Sequence, residues 1–511
     1  MNLKIGVKKI YQKVSSNRGM TSIFFGSYFL LQKIKNKECR RGKNDISSFL
    51  QKDTTQKKQL KTVKIATICD DMTWQNLKQE CEVYSLTPRN WKQIFIEQCP
   101  DVFFCESAWL GIKEQGGCWH GKIYRNHKLL FENRKELFEI VKFCKVQNIP
   151  TVFWNKEDPT FFEHNQYDFK DTALVFDYIV TTAKECVEKY EAFGHSNVRV
   201  LPFGFSPYLF HPLQCYPKEE KAVFAGSWYE EQKERCKALE QIFDMVLEHQ
   251  IPLVIYDRQT GTTKEGRRYP EKYQKYVHSA IPFEQLGMEL KKAKYAINVN
   301  TVEHSETMFA RRVLEFMAMN TVVISNASLG MRKNFGNRVW FVGEKFQKEN
   351  TKKYCLENLE YVFEHRRNET LLTELLQWIG VLQQIEPTWI LVIVPEGKKV
   401  RFLYLEEQAR KANIKIKVVS RQQIRKEEKE IYQYGIFLEE GMDCPDFWYL
   451  LCHICYLPMD CGIKVTSDNN FTICEDIENK NVLFRWEAFR LLLENPSRKM
   501  KKYLLGTSDN K

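Results

Sequence analysis

Long apolar runs are missing from this chain of 511 residues. The best candidate, Met20 to Leu31, is about half of the roughly 20 residues that a membrane-spanning helix requires. It also lacks the small-residue cleavage site of a secretory signal. Sixteen cysteines without such a signal indicate a reducing compartment and free thiols, so the expected location is cytoplasmic. A zinc site would need a second ligand pair beside "CHIC" (Cys452 to Cys455), with Cys444 and Cys461 nearby, but the pair sits in the apolar run "FWYLLCHICYL", so these read as core thiols. Internal repeats of 20 to 50 residues and low-complexity tracts are absent, which excludes solenoids and arrays. Excess charge is missing from the body of the chain as well. Residues 1 to 61 hold fifteen Lys/Arg and three Asp/Glu, which accounts for the whole net charge of +12. With no basic stripe beyond that head, nucleic acid is not an expected partner. The head reads as a solvated leader, and residues 1–61 leave open a peripheral contact with anionic lipid at the inner membrane surface.

What is present is an alternation of strands and helices. Apolar stretches at 63–69, 101–107, 150–156, 178–182 and 198–203 are separated by helical patterns, which indicates a parallel sheet covered on both faces. A proline-rich stretch, 206–221, interrupts the pattern and reads as a linker. The alternation restarts with 221–227, 252–257, 295–300, 321–326 and 339–344. The expected organisation is a basic segment (1–62), two α/β units (63–212 and 213–370), a helical linker (371–386) and a smaller α/β domain (387–511). Ligands of doubly wound sheets bind beyond the carboxyl ends of the strands, so the chemistry is expected in a cleft between the two units.

One segment carries a charge anomaly. In "NVNTVEHSETMFARRVLEFMAMNTVVISN" a helical stripe of Phe309, Val313, Phe316 and Met317 lies between two strands, and Asn320 is a natural left-handed stop. Arg311 and Arg312 fall at the amino end of that helix, which is already positive. A bound phosphate or diphosphate would reverse the penalty, meeting backbone N–H groups and two guanidinium groups together. Ser305 and Thr307 offer hydroxyls just before the helix. Glu315, one turn further in, could accept both hydroxyls of a ribose. The competing reading is an intrahelical Arg–Glu pair worth about 0.2–0.5 kcal/mol. Gly226 and Ser227 end the first strand of the second unit, where glycine lets an anion approach the backbone. Asp257 and Arg258 end the next strand, as cleft residues or as a local ion pair.

The same segment resembles the nucleotide-sugar motif of CgeB-type proteins, the spore-maturation-like glycosyltransferases with a GT-B fold. Further matches are "FCESAWLG" (104–111), "GGCWHGKI" (116–123), "NIPTVFWNKEDPTFF" (148–162), "LPFGFSPYLFHP" (201–212) and "VFAGSWYEEQKERC" (223–236). The resemblance implies two Rossmann-like domains facing a cleft and a nucleotide-sugar co-substrate. It implies a glycan or a cell- or spore-surface acceptor, and a ribose-binding role for Glu315. It assigns the phosphate role to Arg311, Arg312 and the backbone at Gly226 and Ser227. Asn320 stands where many relatives have glycine.

Glycosyl transfer needs a stabilised leaving diphosphate and an oriented acceptor hydroxyl. No Asp-x-Asp occurs anywhere in the chain, so no metal and no other cofactor is expected. In the first unit, Glu106 and Asp158 are the candidates for general base or acceptor orienter, with His304 a further cleft candidate. Asp71, Trp109, Trp154 and Asn155 are candidate acceptor contacts; Trp109, Trp119 and Trp154 offer flat faces for sugar rings, and the competing reading for all three is that aromatic residues near strand ends plug a core. Residues 434–451 weakly resemble a GT-A-type core, with Glu439, Glu440 and Asp443 in place of an aspartate-rich run. A degenerate domain kept for packing is the plainer reading. The alternative to an enzyme is a non-catalytic nucleotide-sugar or glycan-binding assembly protein.

Overall fold

The computed structural model describes residues 59–506 except 214–216, 384–386, 396–412, 421–430, 439–446, 467–470, 472, 475–477 and 496. The basic head and the Glu439 to Asp443 run therefore lie outside the described residues.

The first unit contains β1 (Lys64–Ile68), α1 (Asp71–Glu80), β2 (Glu82–Ser85), β3 (Val102–Glu106), β4 (Thr151–Asn155), β5 (Tyr178–Thr181), α2 (Glu185–Ala192) and β6 (Val198–Val200). The strands form a parallel sheet in the order β2-β1-β3-β4-β5-β6. Every residue of β3 and β4 is buried, which is why these segments read as continuous apolar runs rather than alternating ones.

The second unit is also a parallel α/β sheet, with a different strand order, and contains β7 (Glu219–Gly226), α3 (Lys233–Glu248), β8 (Leu253–Asp257), β9 (Val277–Ser279), β10 (Ala293–Asn298), α4 (Arg312–Ala318), β11 (Val322–Ser325) and β12 (Trp340–Phe341). Its order is β9-β8-β7-β10-β11-β12, again all parallel. Numbered within the unit this is 3-2-1-4-5-6, the dinucleotide-fold order, whose switch point lies between β7 and β10. Two doubly wound parallel units in tandem make up the expected GT-B architecture.

Beyond β12 the chain does not simply run on to the third domain. After α5 (Thr351–His365) comes α6 (Asn368–Trp378), whose Leu371, Leu372, Leu375 and Leu376 are buried against Ile65, Phe104, Val152 and Trp154 of the first sheet. Each such side chain is worth about 1.5–3 kcal/mol of burial. The stretch expected as a linker is therefore part of the first unit's core. The chain crosses between the units twice, and the crossings are tied together. The Phe205 amide donates to the Arg366 carbonyl and the Asn368 amide to the Phe205 carbonyl, while the Asn368 side chain donates to Asn76 on α1 at 2.9 Å.

The third domain is a mixed sheet of seven strands among the described residues. It sits on the second unit through the helix Phe447–Ile454, where fully buried His453 stacks on Phe363 of α5 with ring centroids 3.7 Å apart. Cys452 on that helix is fully buried as a core thiol. No helix among the described residues is long and apolar enough to cross a membrane.

Candidate functional site

β7 and β8 end side by side, with Gly226 opposite Asp257. Gly226 has no room for a side chain, because a Cβ would lie 2.5 Å from the Phe224 ring. Its glycine is thus demanded by packing within the strand. Three guanidinium groups gather at this edge. Arg312, the first residue of α4, donates from Nη1 to the Ala225 carbonyl at 2.8 Å and lies over the Phe224 ring. Arg235, in the first turn of α3, turns back to donate to the Ser227 carbonyl at 3.0 Å. Arg258 follows β8, with its amide on the Gly226 carbonyl and its side chain exposed. Among the described residues none of the three forms an ion pair. Asp257 accepts from the Gln259 amide at 2.9 Å, so the local Asp257–Arg258 ion pair is not formed either.

The mutual repulsion registers on Arg312. Burial first, then the charge of Arg258, pull its pKa down to about 10, with Glu315 opposing and Arg235 adding to the pull. Arg235 is likewise lowered, chiefly by burial. Both remain protonated at neutral pH, so the edge is a standing concentration of positive charge. Glu315 is buried one turn into α4, and its Oε1 has no hydrogen-bond partner. Burial raises its pKa against the pull of Arg311 and Arg312. The intrahelical Arg–Glu ion pair that competed for this motif is absent. Like charges held together without counter-ions concentrate positive potential at this edge, with the Glu315 carboxylate buried beside it.

The helix itself is shorter than the apolar stripe suggested. α4 begins at Arg312, because Asn300 Oδ1 takes the Ala310 amide at 3.0 Å. Asn326 pins Asn300 in turn, accepting from its amide and donating to its carbonyl. Phe309 is buried, but in the loop. With seven residues in the helix, the guanidinium groups dominate the dipole. Asn320 does take the left-handed conformation, with φ of 55°.

The hydroxyls just before the helix are spent elsewhere. Thr307 Oγ1 donates to the Thr182 carbonyl at 2.8 Å and accepts from the Lys184 amide at 2.9 Å. Ser305 donates to Glu185 at 3.1 Å and accepts from the Met308 amide. Met308 packs against the first unit's core. The loop is a clasp between the units, so Ser305 and Thr307 are turned from the phosphate edge, contrary to expectation. His304 is exposed on the same loop.

The first unit's edge has its charges matched. Glu106 is fully buried and ion-paired with Lys156, whose Nζ also lies 3.7 Å from Asp70. Asp70 accepts from the amides of Trp109, Leu110 and Gly111, and Asp71 from that of Lys113. Asp158 is sealed inside, accepting from Asn155 at 2.8 Å, Thr181 at 2.7 Å and Tyr190 at 3.1 Å. Burial raises its pKa to about 7. Asp158 and Asn155 are therefore interior rather than edge groups, a second departure from expectation. Trp109 packs among Tyr124, Phe161, Tyr167 and Phe169. Trp119 is a core residue donating to the Leu86 carbonyl.

Arg311 does not accompany Arg312. It crosses to the first unit, donating to Thr73 on α1 at 3.3 Å and lying over the rings of Trp154 and Phe203. Sequence reasoning passed over Arg235 and Lys156. Arg235 carries the same signal as Arg311 and Arg312, a cation in the first turn of a helix after a strand.

No family model and no curated protein matches this chain. Among solved structures it is similar to an α-glucosyltransferase in complex with UDP-glucose and DNA containing an abasic site, at 8% identity over 62% of this chain and 100% of that one, TM-score 0.42. It is similar to Anabaena HepE in complex with UDP-glucose, at 10% identity over 63% and 100%, TM-score 0.40. A sucrose-phosphate synthase from Thermosynechococcus elongatus matches at 15% identity over 57% and 75%, TM-score 0.38. The fold follows from the strand orders themselves, not from these distant likenesses.

Proposed function

We propose that this chain is a glycosyltransferase that moves a sugar from a nucleotide-sugar donor to a glycan or surface acceptor. The observation that carries the reading is the convergence of Arg235, Arg258 and Arg312, all without ion-pair partners, on the carboxyl edge of β7. A diphosphate there would meet the three guanidinium groups, each charge-assisted bond contributing about 1.5–3 kcal/mol. Glu315 would accept the ribose hydroxyls. When the glycosidic C–O bond breaks, its electron pair leaves with the diphosphate, and the same guanidinium groups stabilise the growing charge. That positive charge stands in for a divalent cation. The CgeB-type assignment, the glycan or spore-surface acceptor and a cytoplasmic location with peripheral membrane contact through residues 1–61 are the finer parts of the proposal; they rest on sequence reading.

One observation favours the non-catalytic alternative. Both carboxylates expected as bases are occupied, Glu106 by Lys156 and Asp158 by three donors. A nucleotide panel separates the two readings. UDP or another nucleoside diphosphate should raise the melting temperature through mass action, and the matching nucleotide-sugar should be hydrolysed slowly without acceptor. Stabilisation without any turnover selects the binding protein. No stabilisation by any nucleoside diphosphate at millimolar concentration removes the donor site altogether.

A further inference from the structure

The charge cluster at β7 depends on a short helix. α4 has seven residues, and its N-cap residue, Arg311, makes no side-chain capping bond. So short a helix draws its order from what surrounds it. Packing places its body, since Val313, Leu314, Phe316 and Met317 are buried. Its start is tied down by Asn300, a buried residue two positions beyond β10. Asn300 Oδ1 takes the Ala310 amide at 3.0 Å, and the Ala310 carbonyl accepts the Val313 amide of the first turn. Asn300 is itself fixed on both sides of its backbone. The Asn326 side chain accepts from its amide at 2.8 Å and donates to its carbonyl at 3.0 Å. Asn300 Nδ2 adds a bond to Ser325 Oγ at 3.3 Å. The loop that intervenes serves the other unit, through Ser305, Thr307 and Met308. The bond from Asn300 to Ala310 closes the neck of that loop and parts the clasp from the helix that carries Arg312 and Glu315.

We propose that Asn300 is a positioning residue of the donor site: it fixes where α4 begins, and so where Arg312 and Glu315 stand against the edge of β7. The inference rests on the donor-site reading and deepens it. Arg312 reaches the Ala225 carbonyl, and Glu315 lies one turn further along the same helix. A change in where the helix starts therefore moves both groups together. Misplacing a positioned group by about 1 Å can cost about a hundredfold in the step it serves.

The test uses the full chain, with UDP and GDP as probes. Asn300→Ala removes the acceptor for the Ala310 amide. Ser325→Ala removes a neighbouring hydroxyl bonded to Asn298 and Asn300 and leaves that acceptor in place. Both variants should lower the denaturation midpoint. Only Asn300→Ala should weaken the better-binding nucleotide, by about tenfold or more, with Ser325→Ala within about threefold of wild type. Residue-resolved amide exchange is read without nucleotide. The Ala310 amide should be protected in wild type and in Ser325→Ala, and should exchange like an open loop in Asn300→Ala, while the amides of β10 and β11 stay protected. In wild type, bound nucleotide should slow exchange at Ala310 by about threefold or more. The inference is overturned by unchanged affinity in Asn300→Ala, by equal losses in the two variants, or by an Ala310 amide that is unprotected in wild type or indifferent to bound nucleotide. The wild-type exchange measurement decides the matter even where Asn300→Ala does not fold. If neither nucleotide binds wild type, the donor site falls and the inference with it; protection at Ala310 then shows that the helix start was held and that the donor reading was what failed.

Discussion

The carboxyl edges of the two sheets both carry charged side chains and differ in how that charge is matched. At the first, Lys156 stands between Glu106 and Asp70 and Asp158 lies among three donors, although Glu106 Oε2 is buried without a hydrogen bond. At the second, Arg235, Arg258 and Arg312 repel one another, and Glu315 keeps an unpartnered oxygen. Balanced charge inside a fold is structural, because the protein itself supplies the partner. Unbalanced buried charge is costly, about 1–3 kcal/mol or more for each unmet group, and a bound anion would relieve that cost. The comparison thus contrasts an edge whose charges are paired within the chain with the edge proposed to bind the donor.

The largest effect should come from unbalancing the balanced edge. Lys156→Met leaves Glu106 buried without its cation and should cost about 3–5 kcal/mol of stability, read as a fall in the denaturation midpoint. Little loss there would mean that Glu106 is not held as a charge. The complementary change is Arg312→Gln. It should weaken nucleoside diphosphate binding ten- to hundredfold, about 1.5–3 kcal/mol, with the melting temperature of the free protein kept or raised because a repulsive neighbour is gone. A large loss of stability with unaltered affinity would make Arg312 a structural residue like Lys156.

The strands and the charge anomaly at Arg312 were legible in the sequence, whereas the pairing that sets the two edges apart, through Lys156 and Arg235, was not. Buried parallel strands are continuous apolar runs, so β3, β4, β7 and β10 stood out. The edge strands β2 and β9 did not, because "EVYS" and "VHS" are part-exposed and polar. The charge at the start of α4 was visible because two cations at a positive helix end are anomalous whatever the fold. The helix boundary was misread because Phe309 continues the apolar stripe, yet is buried from a loop pinned by Asn300. The fates of Ser305 and Thr307 were hidden, since their partners at Glu185 and Thr182 lie 120 and 125 residues away on the other unit. The same distance in sequence concealed that Arg311 and Arg312 diverge.

A smaller effect sharpens the comparison where the units meet. Glu80, buried and accepting from Ser206, has its pKa raised to about 7, by burial first and then by the charge of Glu369. The folded state keeps a proton that the unfolded chain releases near 4.5. Stability therefore falls as pH rises from about 4.5 to 7, and the penalty is complete above that. Glu80→Gln should be more stable than wild type at pH 8, on the order of 2 kcal/mol, with the advantage fading towards pH 4.5. Equal denaturation curves at both pH values would place an ionised Glu80 in a better-compensated setting.

The most direct test of the unbalanced edge is a crystal structure of the chain with UDP bound. It should show diphosphate oxygens within hydrogen-bond distance of Arg312 and Arg258, and the Glu315 carboxylate on the ribose hydroxyls. A diphosphate seated elsewhere, with those guanidinium groups untouched, would contradict the account.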